Sequence, residues 1–142
     1  MRISARNVMK GTITNIEDGA VNCIVSIEVG GATLISSITM EAIRDHKLEV
    51  GMPAYAIVKA SHVMFASGTE PLANLSARNQ LVGQVSTIRA GAVNGRVSLE
   101  LEDGNIITGS ITNAAIKDLG LEGGSPAVAI MKSSDIMIGI DD

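Results

Sequence analysis

The sequence has almost no aromatic residues. Among 142 residues there is no tryptophan, one tyrosine (Tyr55) and one phenylalanine (Phe65). Single-stranded nucleic acids are held by stacking bases on aromatic rings, and two rings are too few for such a platform. A basic excess is missing as well. Lys and Arg number 11 against 15 Asp and Glu, a formal net charge of −4, which opposes binding to a phosphate backbone. The single cysteine, Cys23, permits no internal disulfide, as suits a reducing compartment. No apolar run approaches the roughly 18 residues that span a membrane. The opening stretch MRISARNVMKG lacks the apolar core of a signal peptide. These absences predict a cytoplasmic protein with no nucleic-acid partner and no membrane partner.

What the chain does have is an internal repeat. Residues 3–29 align with 75–101 at a shift of 72, and residues 37–66 align with 110–139 at a shift of 73. The landmarks keep their order: SARN at 4–7 and 76–79, GAVN at 19–22 and 91–94, SIT at 37–39 and 110–112, then a lysine at 59 and 132. The one-residue slip falls where VGGATLI faces LEDGNII, as a hairpin loop of variable length would give. This sets a first unit over 1–68, a linker over 69–74 and a second unit over 75–142. Hydrophobic residues make up 46% of the chain, yet a unit of this size buries only a marginal core alone. The two copies are therefore expected to pack on one another, and the chain to form a homo-oligomer.

Hydrophobic periodicity predicts strands at 8–16, 21–29 and 33–38, with Val21, Cys23, Val25, Ile27 and Val29 on one face of the second. The period then changes. In TMEAIRDHKL, Met40, Ile43 and Lys47 fall at helical intervals and Thr39 is placed to cap the helix start. Short strands are expected at 54–60 and 62–66. The second unit repeats the order, with strands near 81–88, 93–101 and 105–111, a helix over 112–119, and strands near 127–132 and 135–138. The expected fold class is mainly all-β: two tandem OB-like five-stranded barrels, each with one short helix between strands three and four. An SH3-like barrel is the alternative.

No catalytic set stands out. His46 and His62 align with Leu119 and Asp135, so neither histidine is kept by both copies, and both read as surface residues. Cys23 aligns with Gly95 and lies on the inward face of its strand, as a core residue would. The seven methionines are scattered like core filler rather than grouped as soft-metal ligands. The expectation is a protein that is not an enzyme, with no organic cofactor and no direct cation ligands.

Both copies do keep a set of donors. Ser4 and Arg6 recur as Ser76 and Arg78, and Thr39 recurs as Thr112. Lys59, followed by Ala60 and Ser61, recurs as Lys132, followed by Ser133 and Ser134. Hydroxyls, guanidinium, ammonium and free backbone N–H groups, with no repeated carboxylate beside them, suit a small oxyanion. Spacing alone leaves a plainer reading open, in which Arg6 and Lys59 are surface charges and SARN is a turn. The turns DGAVN and AGAVN are first of all turns. They also expose N–H groups and an amide, and three copies on a symmetry axis would ring an oxyanion.

SARN ahead of a strand containing glycine, then GAVN, SIT and AI, then VKAS or MKSS, resembles the molybdate-binding Mop unit, the TOBE-type molybdate–tungstate domain. Two such units in tandem are similar to the di-Mop molbindins, and the likeness covers 2–66 and 74–140. The resemblance implies molybdate or tungstate as the bound ligand, with a role in cytoplasmic storage and homeostasis. The alternative it leaves is an oxyanion-sensing regulatory module acting through a separate partner protein. It implies six units about a threefold axis, hence a homotrimer of this chain.

By matching positions, the resemblance also implies sites between units. Ser4, Ala5, Arg6, Lys59, Ala60 and Ser61 would bind from one side, with Thr39 and Ala42 from a neighbour. The second set is Ser76, Ala77, Arg78, Lys132, Ser133 and Ser134, with Thr112 and Ala115. A second class of site, on the threefold axis, would use Gly19, Ala20, Val21 and Asn22, together with Gly91, Ala92, Val93 and Asn94. Ser133 stands where the first unit has Ala60, so the two inter-unit sites would differ in polarity.

Overall fold

The computed structural model describes residues 1–141. The first repeat forms β1 (Asn7–Glu17), β2 (Asn22–Val29), β3 (Ala32–Thr39), α1 (Met40–Asp45), β4 (Pro53–Val58) and β5 (Met64–Ser67). The second forms β6 (Asn79–Ala90), β7 (Asn94–Leu101), β8 (Ile106–Thr112), α2 (Asn113–Asp118), β9 (Pro126–Met131) and β10 (Met137–Gly139). The order is the expected one, two curled five-stranded sheets with a short helix after the third strand of each repeat. The strand expected to reach residue 60 stops at Val58, because Lys59 leads into a 3-10 turn at Ala60–His62. The matching turn is Ser133–Asp135. Small Ala and Ser residues there lack the branched side chains that hold a strand extended.

All strand pairs are antiparallel, and β1 serves two partners. Asn7–Thr12 pair with β4 and Thr12–Glu17 with β2, with a bulge between Ile13 and Asn15. The same irregularity falls between Val85 and Thr87 on β6. A bulge bends the strand and raises its twist, which lets one long strand turn the sheet toward closure. Gly11 and Gly83 sit on that bend. A Cβ at either would strike a carbonyl across the ladder, that of Glu28 or of Glu100, so the bend needs glycine in both copies.

The strands do not stay in their own repeats. The sheet orders are β10-β4-β1-β2-β3 and β5-β9-β6-β7-β8. Strand β5 crosses to pair with β9, Met64 opposite Ile130 and Ser67 opposite Ala127. Strand β10 crosses back to pair with β4, Met137 opposite Ile57 and Gly139 opposite Tyr55. Each barrel thus takes four strands from one repeat and a fifth from the other.

The exchange ties the two interiors together. Ile13, Val25, Ile27 and Leu34 of the first barrel and Val97, Leu99 and Ile107 of the second belong to one core cluster that includes Val63 and Ile136, the residues just before the exchanged strands. Fully burying such a side chain stabilises by about 1.5–3 kcal/mol. The crossing is not symmetric in detail. In the first barrel Ser36 Oγ donates to Ile136 O at 2.5 Å, closing β3 on the chain entering β10. In the second, Gly109 replaces that serine and Phe65 fills the space: a Cβ on Gly109 would collide with the Phe65 ring.

Among the described residues no helix is long and apolar enough to cross a membrane.

Candidate functional site

The last letter of SARN positions the rest. Asn7 and Asn79 are 2% and 1% exposed, and a buried amide needs partners. Asn7 Nδ2 donates to Thr108 O at 2.8 Å, and Asn7 Oδ1 accepts from Thr108 N–H at 2.7 Å. Asn79 repeats the bond pair on Ile35, accepting from its N–H at 2.7 Å and donating to its carbonyl at 2.8 Å. A side-chain amide carries the same donor and acceptor as a peptide group, so each asparagine mimics one more rung on the facing strand. Each SARN segment is thereby latched to the third strand of the opposite repeat. The sequence reading gave this residue no role. The available signal was an asparagine kept at the first position of a strand in both copies.

The latch sets Arg6 and Arg78, one residue earlier, at the seam between barrels. Ser4, Ala5 and Arg6 meet Lys59, Ala60 and Ser61 around one pocket of about 360 Å³, with Ile3 and Met137 on its apolar wall. Ser76, Ala77 and Arg78 meet Lys132, Ser133 and Ser134 around another of about 310 Å³, with Leu75 and Met64 on the wall. Met137 comes from β10 and Met64 from β5, so each pocket borrows a side chain from the exchanged strand. No carboxylate lines either pocket. Lys59 and Lys132 hold extended backbone, φ −70° and −72°, at the start of the 3-10 turns. The first bonds of those turns are His62 N–H to Lys59 O (2.9 Å) and Asp135 N–H to Lys132 O (3.0 Å). The N–H groups of Ala60 and Ser61, and of Ser133 and Ser134, precede those bonds.

The helix starts lie elsewhere. Thr39 Oγ1 accepts from Ala42 N–H at 3.1 Å, and Thr112 Oγ1 from Ala115 N–H at 3.0 Å. These four residues line neither pocket. Within one chain, therefore, the two halves expected of an inter-unit site are not brought together.

The GAVN turns join β1 to β2 and β6 to β7, each pinned to a helix start. Val21 O accepts from Met40 N–H and Val93 O from Asn113 N–H, both at 2.8 Å. A Cβ on Gly19 or Gly91 would press on the carbonyl of Asn22 or Asn94, and Gly91 N–H donates to Asn94 O at 2.9 Å. Ala20 and Ala92 are exposed at the same tips. Val21 and Val93 are 70% and 71% exposed, so each copy presents an apolar side chain to water at its turn tip.

Cys23 is fully buried, and His46 and His62 are exposed. Among the described residues no group of three or more His, Cys, Asp or Glu gathers to hold a metal ion.

The family model for the TOBE domain matches residues 3–65 and 75–138. The chain is 37% identical over 141 residues to the molybdenum transport protein ModE of Herbaspirillum seropedicae, covering 99% of this chain and 52% of that protein. It thus spans about half the length of that relative. A probable molybdenum-pterin-binding protein of Haemophilus influenzae is 51% identical over 65 residues, which is 45% of this chain and 94% of that protein. Among solved structures, the cytoplasmic molybdate-binding protein ModG with molybdate bound superposes at a TM-score of 0.94. That match has 42% identity and covers 99% of this chain and all of the other.

Proposed function

The chain belongs to the TOBE-domain family, and we propose that it binds molybdate or tungstate in the cytoplasm, storing and buffering the oxyanion without transforming it. The observation that carries this reading is the repeated pocket, in which Ser, Arg, Lys and turn N–H groups from distant parts of the chain converge with no carboxylate among them. A tetrahedral dianion needs no covalent bond to be held. It needs compensating charge and donors. The Arg6 guanidinium offers a planar fork and Lys59 a compact charge, while Ser4 and the N–H groups of Ala60 and Ser61 offer neutral donors. Arg78, Lys132 and Ser76 offer the same, with Ser133 adding a hydroxyl.

In this reading residues 1–68 and 75–142 are two Mop units joined by 69–74. Three chains assemble, and each pocket is closed by Thr39 and Ala42, or Thr112 and Ala115, of a neighbouring copy. The exposed Val21 and Val93 tips then meet about the axis and lose their contact with water. Sulfate accepts the same bonds as molybdate, so discrimination rests on the size of a rigid enclosure.

Equilibrium dialysis with molybdate against a large excess of sulfate tests ligand and selectivity together. Molybdate uptake that persists under sulfate supports the reading, and complete displacement refutes it. Sedimentation at micromolar protein tests the assembly, which requires a trimer.

A further inference from the structure

Arg89 and Arg96 are direct cross-strand partners on β6 and β7. Opposed side chains on an antiparallel pair stand about 5 Å apart at Cβ, and like charges there repel. Neither arginine belongs to an ion pair among the described residues. The adjacent outward row, Thr87, Ser98 and Thr108, runs in register across β6, β7 and β8, with Ser98 Oγ 3.0 Å from Thr108 Oγ1. Arg6 reaches this face from the other repeat, because its neighbour Asn7 is latched to Thr108. These six side chains line one cleft of about 360 Å³: three guanidiniums, three hydroxyls and no carboxylate.

The first barrel has no counterpart. In register there, Glu17 and Ile24 replace Arg89 and Arg96, and Asn15, Ser26 and Ile35 replace the hydroxyl row. Arg78 is the matching residue from the opposite repeat. One cation and one carboxylate thus stand where the second barrel gathers three cations. The pockets at Lys59 and Lys132 draw on residues kept in both copies, whereas this cleft draws on an arginine pair found in one.

We propose that the cleft binds a small tetrahedral dianion of the phosphate class, free or as a monoester, through the guanidiniums of Arg6, Arg89 and Arg96. A bound dianion converts the repelling pair into a bridged one, and guanidinium forks match its oxygens two at a time. The cleft lies on the outer face of the sheet and Arg89 is exposed, so the ion is not caged. Size therefore does not select among tetrahedral dianions, and an ester substituent has a free way into solvent. Arg6 lines both this cleft and the pocket at Lys59, so an anion in one draws the guanidinium from the other.

The test is calorimetric titration of the full chain with inorganic phosphate and with glycerol phosphate, beside the double variant Arg89→Gln, Arg96→Gln. The wild type should bind one phosphate group per chain at this cleft. The double variant should bind it more than about tenfold more weakly, since two charge-assisted contacts are gone. Molybdate uptake at the two repeated pockets, which Arg89 and Arg96 do not line, should persist, and the melting temperature without ligand should hold or rise, since the repulsion is removed. Tighter binding of inorganic phosphate points to the free ion, and tighter binding of glycerol phosphate to an ester; each supports the site. Phosphate binding unchanged in the double variant, or absent from the wild type, overturns it. So does a double variant that loses self-association but keeps phosphate, which would assign the arginines to contacts between copies. Arg96→Ile, which installs the first barrel's residue, repeats the test should the double variant fail to fold.

Discussion

His62 Nδ1 lies 3.7 Å from Asp135 Oδ1, and the two residues hold the same position in their respective repeats. Equivalent positions meet only where a local twofold relation passes between them. Both residues close the 3-10 turns that lead into β5 and β10, so the relation runs through the point where the chain crosses from barrel to barrel. The side chains are 42% and 25% exposed, so the pair itself contributes little. Its value is as a marker of the crossing.

From the crossing it follows that one repeat alone is incomplete. A chain of residues 1–68 leaves β4 without β10 and β5 without β9. The expected product is a dimer in which two copies trade β5, the route by which exchanged elements make dimers. Sedimentation of the fragment checks this, and a folded monomer would contradict the exchange.

The asparagine latches should be among the most sensitive polar positions. Asn7→Ala strands the Thr108 N–H and carbonyl, and Asn79→Ala strands those of Ile35. A loss of about 2–4 kcal/mol is expected for each, since buried groups left unpaired cost about 1–3 kcal/mol apiece. Urea denaturation measures it; a loss under about 0.5 kcal/mol would mean water replaces the amide.

Arg6→Ala with Arg78→Ala removes the guanidinium from both repeated pockets. Both residues are exposed, so the circular dichroism spectrum should be unchanged. Molybdate affinity should fall more than about tenfold, the scale of a lost charge-assisted bond. Undiminished uptake in dialysis would remove both arginines from the site.

Acid should loosen a contact between the two β-hairpin turns. The Asp103 carboxylate accepts from Asn105 N–H at 2.9 Å, from Asn105 Nδ2 at 2.9 Å and from Gly31 N–H of the other repeat at 3.0 Å. These bonds, the Asn105 N–H first, hold its carboxyl below the usual carboxylate range. A lowered value in the folded state favours the ionised form there. The contribution is therefore present above the usual range and lost as pH falls through the lowered value. Asp103→Asn should show less loss of stability on acidification than wild type, compared by urea denaturation at neutral and acid pH. Identical acid dependence would exclude Asp103 as a contributor.

Much of the fold was legible because its signals are local. Cys23, Val25, Ile27 and Val29 declare a half-buried strand by their period, and Thr39 declares a helix start by its hydroxyl; Val21, expected on the same face, stands exposed on the turn before β2. The strand exchange was not legible in that way. The two copies carry nearly the same pattern, so β5 suits either sheet by periodicity. The distinguishing mark lies in the differences between copies: Gly109, where the first repeat has Ser36, leaves a gap that Phe65 fills from the other repeat. The donor set at Ser4, Arg6 and Lys59 could be named from its recurrence, but its convergence depends on Asn7 binding a strand about a hundred residues away. Arg89 and Arg96 escaped notice because seven positions separate them in sequence, and only the hairpin register makes them neighbours.

The traded strands work as a clasp. Were a protease to nick the stretch 69–74, the two fragments would still grip one another, since each would hold a ribbon of the other inside its sheet. Parting them would require both exchanged strands to strip from the sheets that hold them, so the peptide link governs how readily the halves find each other and has less part in keeping them joined.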